Sequence, residues 1–252
     1  MTRVYAIGDI HGHLDKLAAA HALIAADRRR TGDADAPVVH LGDLVDRGPE
    51  SAEVIDYLAA GPTGAARWVT LKGNHDWLFE LFLRDPAIRD PGLRPEHSWL
   101  HDRIGGQITL ASYGIAEPGN RAPADLLREA QARVPAQHQA FLAALPLTFA
   151  APGLLFVHAG IRPGVALKDQ SPQDMMWIRK DFHLSAADHG AVVVHGHTPV
   201  DAPTDYGNRI NLDTGAAYGK ALTAAVIEDG IPWELTAEGR RPLRRRPAGT
   251  AD

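Results

Sequence analysis

Carboxylate, imidazole and guanidinium side chains gather in five short clusters of this chain, each following an apolar run. Gly8-Asp9-Ile10-His11-Gly12 follows residues 4–7, and Gly42-Asp43-Leu44-Val45-Asp46-Arg47-Gly48 follows residues 38–41. Gly73-Asn74-His75-Asp76 comes after residues 68–71 and Lys72; His158-Ala159-Gly160 comes after residues 154–157. His195-Gly196-His197-Thr198 completes the series after residues 191–194. Carboxylate oxygens and neutral imidazole nitrogens together suit Mn²⁺, Fe or Zn²⁺, whereas all-oxygen sites favour Mg²⁺ or Ca²⁺. Asp9 and His11 are two apart, which places both side chains on one face if the strand continues through them. The chain has no cysteine, so thiolate ligands, cysteine nucleophiles and disulfides are excluded.

Taken singly, each cluster has a plain reading. An Asp-x-His is usually a turn, an Asp-Arg-Gly a capped turn with a surface ion pair, and His-Ala-Gly means little. Their recurrence is the signal. In an α/β sheet the carboxyl ends of the strands converge on one edge, where ligands bind. Five such ends bearing ligand-type side chains imply one shared site for two divalent cations.

The elements that must position these clusters are readable in outline. Residues 4–7, 38–41, 68–71, 154–157, 191–194, 210–212 and 221–227 are short apolar runs of strand type. Residues 14–26, 50–60, 77–83 and 137–145 carry helical spacing, and Arg28-Arg29-Arg30 suits the end of the first helix. This alternation predicts a layered α/β architecture. The runs at 210–212 and 221–227 flank Asp213-Thr214-Gly215-Ala216 and are expected to pair antiparallel. Between Arg84 and Val134 five prolines break the pattern, and a mostly helical, cap-like insertion over the sheet edge and the site is expected there. The main domain is expected over residues 1–238. Residues 239–252, with Arg240, Arg241, Arg244, Arg245 and Arg246, are expected to form a solvated, disordered basic tail.

Composition narrows the function. A chain of 252 residues, 45% hydrophobic and 23% charged, can bury its own core without a disulfide or structural metal. A net charge of -5 provides no basic field for nucleic acid or an anionic membrane, so neither is an expected partner. No leader-like segment or membrane-length apolar run is present, and a cytoplasmic location is the expectation.

The five clusters, in order from Gly8 to His197, resemble the signature of the metallophosphoesterases, and within them the phosphoprotein phosphatase family. Trp-Leu, Gly-Gly, Thr-Leu and Ser-Tyr-Gly between Trp99 and Gly114, together with Trp177-Ile178-Arg179, resemble its bacterial serine/threonine phosphatase branch. That resemblance implies a calcineurin-like layered β-sandwich flanked by helices. It implies that Asp9 and His11 bind one ion, that Asp43 bridges both, and that Asn74, His158 and His197 complete the other. His75 would be the general acid, held by Asp46, while Arg47 and Arg179 grip the phosphate oxygens. The implied reaction is in-line attack by a hydroxide bridging two ions, with manganese the expected pair and iron or zinc the alternatives. The substrate implied is a phosphoprotein or small phosphate ester, most directly phosphoserine or phosphothreonine. The alternative is symmetrical hydrolysis of diadenosine tetraphosphate, which Gly73-Asn74-His75-Asp76 and Leu212-Asp213-Thr214-Gly215 suit; Asp46 and Trp177-Ile178-Arg179 fit the phosphatase branch better. A non-catalytic module on the same scaffold would have lost a ligand, and none is missing. His195 is read as packing or a supporting residue, His13 stays open, and the remaining histidines are read as surface or core residues.

Overall fold

The computed structural model describes residues 2–62 and 66–250. In chain order its main elements are β1 (Arg3–Ile7), α1 (Leu14–Thr31), β2 (Val38–His40), α2 (Ser51–Ala60), β3 (Trp68–Thr70) and α3 (Asn74–Arg84). There follow α4 (Gly106–Ser112), α5 (Pro123–Arg133), α6 (Ala136–Ala144), β4 (Thr148–Ala151) and β5 (Leu154–Val157). Next come α7 (Pro172–Trp177), α8 (Lys180–His183), β6 (Val192–His195), β7 (Thr204–Asp205) and β8 (Arg209–Asn211). The last are β9 (Ala224–Glu228), β10 (Ile231–Thr236), β11 (Gly239–Pro242) and β12 (Arg244–Arg245).

The strands form two six-stranded sheets, β11-β10-β9-β1-β2-β3 and β12-β7-β8-β6-β5-β4. Both faces of the central strands are covered, which is why their sequences read as continuous apolar runs instead of alternating ones. Val4, Ala6, Val39 and Leu41 of the first sheet meet Phe156, Val194 and Ile210 of the second in the sandwich interior. Tyr5, Ile7, Val38 and Val226 point outward beneath the helices, packing with Leu17 and Ile24 of α1, Val54 of α2 and Phe79 of α3. On the far side Leu155, Val157 and Val193 pack against Ile178 and Phe182. The result is a helix–sheet–sheet–helix arrangement.

Register aligns the clusters. Ile7 lies opposite His40, and His40 opposite Thr70, in parallel ladders of the first sheet. Phe156 lies opposite Val194, and His195 opposite Asn211, in parallel ladders of the second. The segments that follow β1, β2, β3, β5, β6 and β8 therefore leave at comparable heights.

Three expectations are corrected. The runs at 210–212 and 221–227 do not form a hairpin: β8 pairs with β6 and β7, while β9 runs antiparallel to β1. Residues 212–223 intervene, more than the two to five of a hairpin loop, and carry the chain from one sheet to the other. The insertion is helical only in part, because residues 85–105 are turns. Pro86, Pro91 and Pro95 remove backbone donors there. Its helices also do more than cover an edge, since Leu110, Leu126 and Ala130 belong to the core cluster beneath α2 and α3.

The third correction concerns the basic segment, whose residues 239–245 form strands β11 and β12. Its charge has partners: Arg240 donates to both oxygens of Asp27 at 2.9 and 2.8 Å and to Glu228 at 2.8 Å. Arg241 reaches Glu234 at 2.7 Å, and Arg245 lies 3.3 Å from Asp205. Three of the five arginines are thus paired across strand and helix, Arg240 with two carboxylates.

Asp27, on α1, also accepts from the Tyr5 hydroxyl at 3.0 Å and is paired with Arg30. Burial alone would raise its pKa, but Arg240, Arg30 and Tyr5 bring it down to about 2. Because the folded value lies below the unfolded one, this contribution is complete above about pH 4 and is lost as pH falls toward 2. Asp27→Asn should therefore destabilise the chain at pH 7 by about 1 kcal/mol after allowance for solvent screening. Urea midpoints of the two proteins should converge as pH drops through 4 toward 2; a difference independent of pH would show that the clasp is not ionic.

Candidate metal centre

The clusters meet at the edge where the parallel strands end. Their backbone is unusual: His11, Asp43, Asp46, Arg47 and His197 have φ of 49°, 49°, 71°, 69° and 68°. Left-handed geometry disfavours any side chain beyond glycine, and it concentrates at functional sites because surrounding structure must hold it. The hold is visible. Ile10 and His11 donate to the Asp43 carbonyl at 3.1 and 2.8 Å, and Gly12 donates to that of Leu44 at 2.8 Å. His11 thus leaves the strand direction, so Asp9 and His11 do not share a face by continuing β1, as their spacing suggested. Asp76 joins the second and third clusters, accepting from Leu44 N–H and Gly73 N–H, each at 2.8 Å. Where chains approach most closely only glycine fits: a Cβ on Gly196 would sit 2.0 Å from Asp9 Oδ1.

Asp43 is at the centre. One group of potential ligand atoms contains His11, Asp43 and His75, and another Asp43, His158 and His197, each within 4.8 Å. His11 Nε2 lies 3.5 Å from Asp43 Oδ2, and His158 Nε2 lies 3.3 Å from Asp43 Oδ1. Asn74 Oδ1 is 2.9 Å from His158 Nε2, which is 3.2 Å from His197 Nδ1. Asp9 falls outside both groups, and its Oδ2 accepts from His197 N–H at 2.9 Å. The first sheet supplies Asp9, Asp43 and Asn74, the second His158 and His197.

These residues fit divalent cations. His11 Nδ1 faces the Val45 carbonyl at 2.9 Å, and His158 Nδ1 faces that of Leu41 at 2.8 Å. A carbonyl only accepts, so both Nδ1 atoms carry protons and both Nε2 atoms are turned toward Asp43, an arrangement typical of metal-ligating histidine. Buried Asp9 Oδ1 and His197 Nε2 have no hydrogen-bond partner, a costly state for polar atoms unless a ligand serves them.

The charges point the same way. Burial, then the Asp213 charge, pushes Asp9 well above the usual carboxylate range. Burial would also raise Asp43, but His158, His75 and His11 hold it well below that range. The N-terminus of α3 adds to this, since His75 N–H donates to Asp43 Oδ1 at 3.0 Å. His11 and His197 are driven well below the usual imidazole value, first by burial, and stay neutral as ligands must. Burial would lower His158 too, but Asp43 and Asp9 raise it to about 9.

Beside the ligand groups, His75 Nδ1 meets Asp46 Oδ2 at 2.6 Å. Arg47 sits over both rings, with Nη1 2.7 Å from His11 Nε2 and Nη2 3.0 Å from His75 Nε2. A guanidinium only donates, so His75 Nε2 accepts and the ring proton is on Nδ1, toward Asp46. Burial, with Arg47 and His158, lowers His75 to about 3; burial raises Asp46 to about 8 against the pull of Thr109 and Trp99. Donor geometry decides where the shared proton sits. Asp46 thus orients the ring. Arg179, at the start of α8, is exposed, and its charge is felt at His75.

Two supporting residues escaped residue-by-residue reading. Thr109 donates to Asp46 Oδ1 at 2.7 Å, and Trp99 Nε1 donates to Oδ2 at 3.0 Å. Both lie in the insertion, within the segment whose Trp-Leu and Thr-Leu pairs carried part of the family resemblance. Asp213 follows β8, is 4% exposed, and is raised by burial to about 6. His195 faces away, with Nε2 3.2 Å from Arg209. His13 Nδ1 meets the His11 carbonyl at 2.6 Å.

Two sheets sandwiched by helices, with paired His/Asp groups at the strand ends, define the architecture of a metal-dependent phosphoesterase. The chain belongs to the calcineurin-like phosphoesterases, whose family model matches residues 2–225. It is 30% identical over 244 residues to the bis(5'-nucleosyl)-tetraphosphatase PrpE of Bacillus velezensis, described as asymmetrical, covering 91% of this chain and 94% of that one. It is 31% identical over 224 residues to the Bacillus subtilis protein of the same description, covering 86% and 87%. A cold-active protein-tyrosine phosphatase from a Shewanella species superposes with a TM-score of 0.63 at 18% identity, covering 97% of this chain and 81% of that one. At that identity the likeness is one of fold.

At pH 7 His158 carries a proton that a metal ligand must give up. Mn²⁺ binding should therefore release protons, that of His158 among them, and weaken on acidification below neutrality. Calorimetry in buffers of different ionisation enthalpy reads this directly, and zero release would remove His158 from the ligand set. Asp43→Asn should cost both ions; two ions at full occupancy by elemental analysis would show that Asp43 does not bridge.

Proposed function

We propose that this chain hydrolyses a phosphoanhydride bond of a dinucleoside tetraphosphate, using two divalent cations. Asp43 would contact both, with His11 and Asp9 completing one set and Asn74, His158 and His197 the other. When bound, the cations would activate water for in-line attack and offset charge on the phosphoryl oxygens. Arg47 and Arg179 offer paired donors to those oxygens. His75 faces the leaving group, and Asp46, braced by Thr109 and Trp99, keeps its ring in place.

The observation that carries this reading over a phosphoprotein substrate is the contact of Arg47 with His75 Nε2 at 3.0 Å, which occupies the ring nitrogen that would hand a proton to a leaving alkoxide. A serine or threonine alkoxide needs a full proton as it leaves. A nucleotide phosphate, whose second pKa is about 6, leaves readily as an anion. Named relatives over most of the chain's length support the same substrate class. They shift the reading from the phosphoserine and phosphothreonine substrates that the motifs suggested, and from symmetrical to asymmetrical cleavage. Water's oxygen bonds to phosphorus as the anhydride P–O bond breaks, giving a nucleoside monophosphate and a nucleoside triphosphate.

The manganese-loaded protein should cleave diadenosine tetraphosphate to AMP and ATP with kcat/KM at least roughly tenfold above that for a phosphothreonine peptide. Faster release from the peptide would overturn the substrate class, and two ADP would overturn the asymmetry. His75→Asn should lower kcat by roughly 10²–10⁴-fold on an alkyl phosphate and by less on the dinucleotide. Equal losses on both would show that the leaving anhydride depends on that proton as an alkoxide does.

A further inference from the structure

Tyr218 is 64% exposed, the most exposed of the large apolar side chains among the described residues and the one aromatic in that set. It does not hang from a loose loop. It ends a 3-10 turn, Ala216–Tyr218, enclosed by left-handed Gly215 and Gly219 at φ of 82° and 85°. Tyr218 N–H donates to the Gly215 carbonyl at 2.9 Å. Lys16 Nζ, from α1, donates to the carbonyls of Ala216 and Lys220 at 2.6 and 2.9 Å, pinning both sides of the turn. Thr214 secures its start, donating to the Ala221 carbonyl at 3.0 Å and meeting the Thr223 hydroxyl at 2.7 Å. These contacts fix the backbone from which the exposed ring projects.

The Arg47 guanidinium carbon lies 5.5 Å from the Tyr218 ring centroid, while the same group's nitrogens touch His11 and His75. The ring thus stands beside Arg47, the arginine read as a phosphate grip, one group removed from the ligand cluster. Ribose places a base beside its phosphate at a comparable remove, and an exposed aromatic face next to a cation is a sequence-tolerant stacking surface for it.

We propose that Tyr218 is the platform on which a nucleobase of the substrate stacks. This rests on the dinucleotide reading above and adds to it a base-binding subsite. The ring, not the hydroxyl, is the working part, so substitutions that keep an aromatic should keep function.

Calorimetric binding of AMP and of ribose 5-phosphate to the manganese-loaded full chain tests this without requiring turnover. The wild type should prefer AMP by roughly tenfold, Tyr218→Ala should erase the preference, and Tyr218→Phe and Tyr218→Trp should retain it. Equal affinity for the two ligands in the wild type, no binding of AMP, or a preference surviving in Tyr218→Ala would each overturn the proposal. Loss in Tyr218→Phe equal to that in Tyr218→Ala would overturn it in favour of a hydroxyl contact to phosphate. Should diadenosine tetraphosphate prove not to be cleaved while the ring-dependent preference for AMP holds, the substrate reading fails and the subsite stands; the converse result fails the subsite alone.

Discussion

A carboxylate removed from water has to be matched by positive charge, and in this chain that requirement falls on Asp43, 2% exposed at the meeting point of both ligand groups. Imidazoles from the four other clusters and the N-terminus of α3 surround it. They answer its charge in part, with His158 taking up a proton to do so. Divalent cations would do the same work better, bringing two charges each and offering partners to Asp9 Oδ1 and His197 Nε2. The left-handed backbone at five site residues, the close glycine contacts and the carbonyl-anchored imidazoles all follow from crowding donors around one buried anion.

The surrounding architecture serves that crowding. Parallel ladders in each sheet set the loops level, and the two faces of every central strand are buried so that the ladders stay rigid. Strain in the loops is tolerated because hydrogen bonds between loops, such as those from residues 10–12 to the Asp43 and Leu44 carbonyls, over-determine their path. Stability built in the sandwich thereby supports geometry that the loops would not adopt alone.

Central strands were readable because two-sided burial makes them unbroken apolar runs, and the five polar clusters were readable because each ends such a run. β4, β7, β10, β11 and β12 were not, for a shared reason: they lie toward the sheet margins and carry polar residues, Pro232 or arginines. The arginine-rich segment misled because its partners, Asp27, Glu228, Glu234 and Asp205, are mostly distant in sequence. The pairing of β9 with β1 was hidden for the same cause. In the site, ligand types were visible from residue identity, whereas the approach of Arg47 to His75 and the brace from Thr109 and Trp99 depend on contacts over 28 to 63 positions. Nothing local announces those.

The division of ligands between the sheets has a mechanical meaning. Asp43 and Asn74 hang from one sheet, and His158 and His197 from the other, at the edge of an apolar interior where only a few hydrogen bonds, such as His158 to the Leu41 carbonyl, join the two sides. A cation gripped from both sides would act as a rivet through the sandwich, resisting any sliding of one sheet over the other. Occupancy and folding free energy are then thermodynamically coupled, each strengthening the other. Scarcity of the right ion would then loosen the seam between the sheets as well as silence the chemistry at its edge.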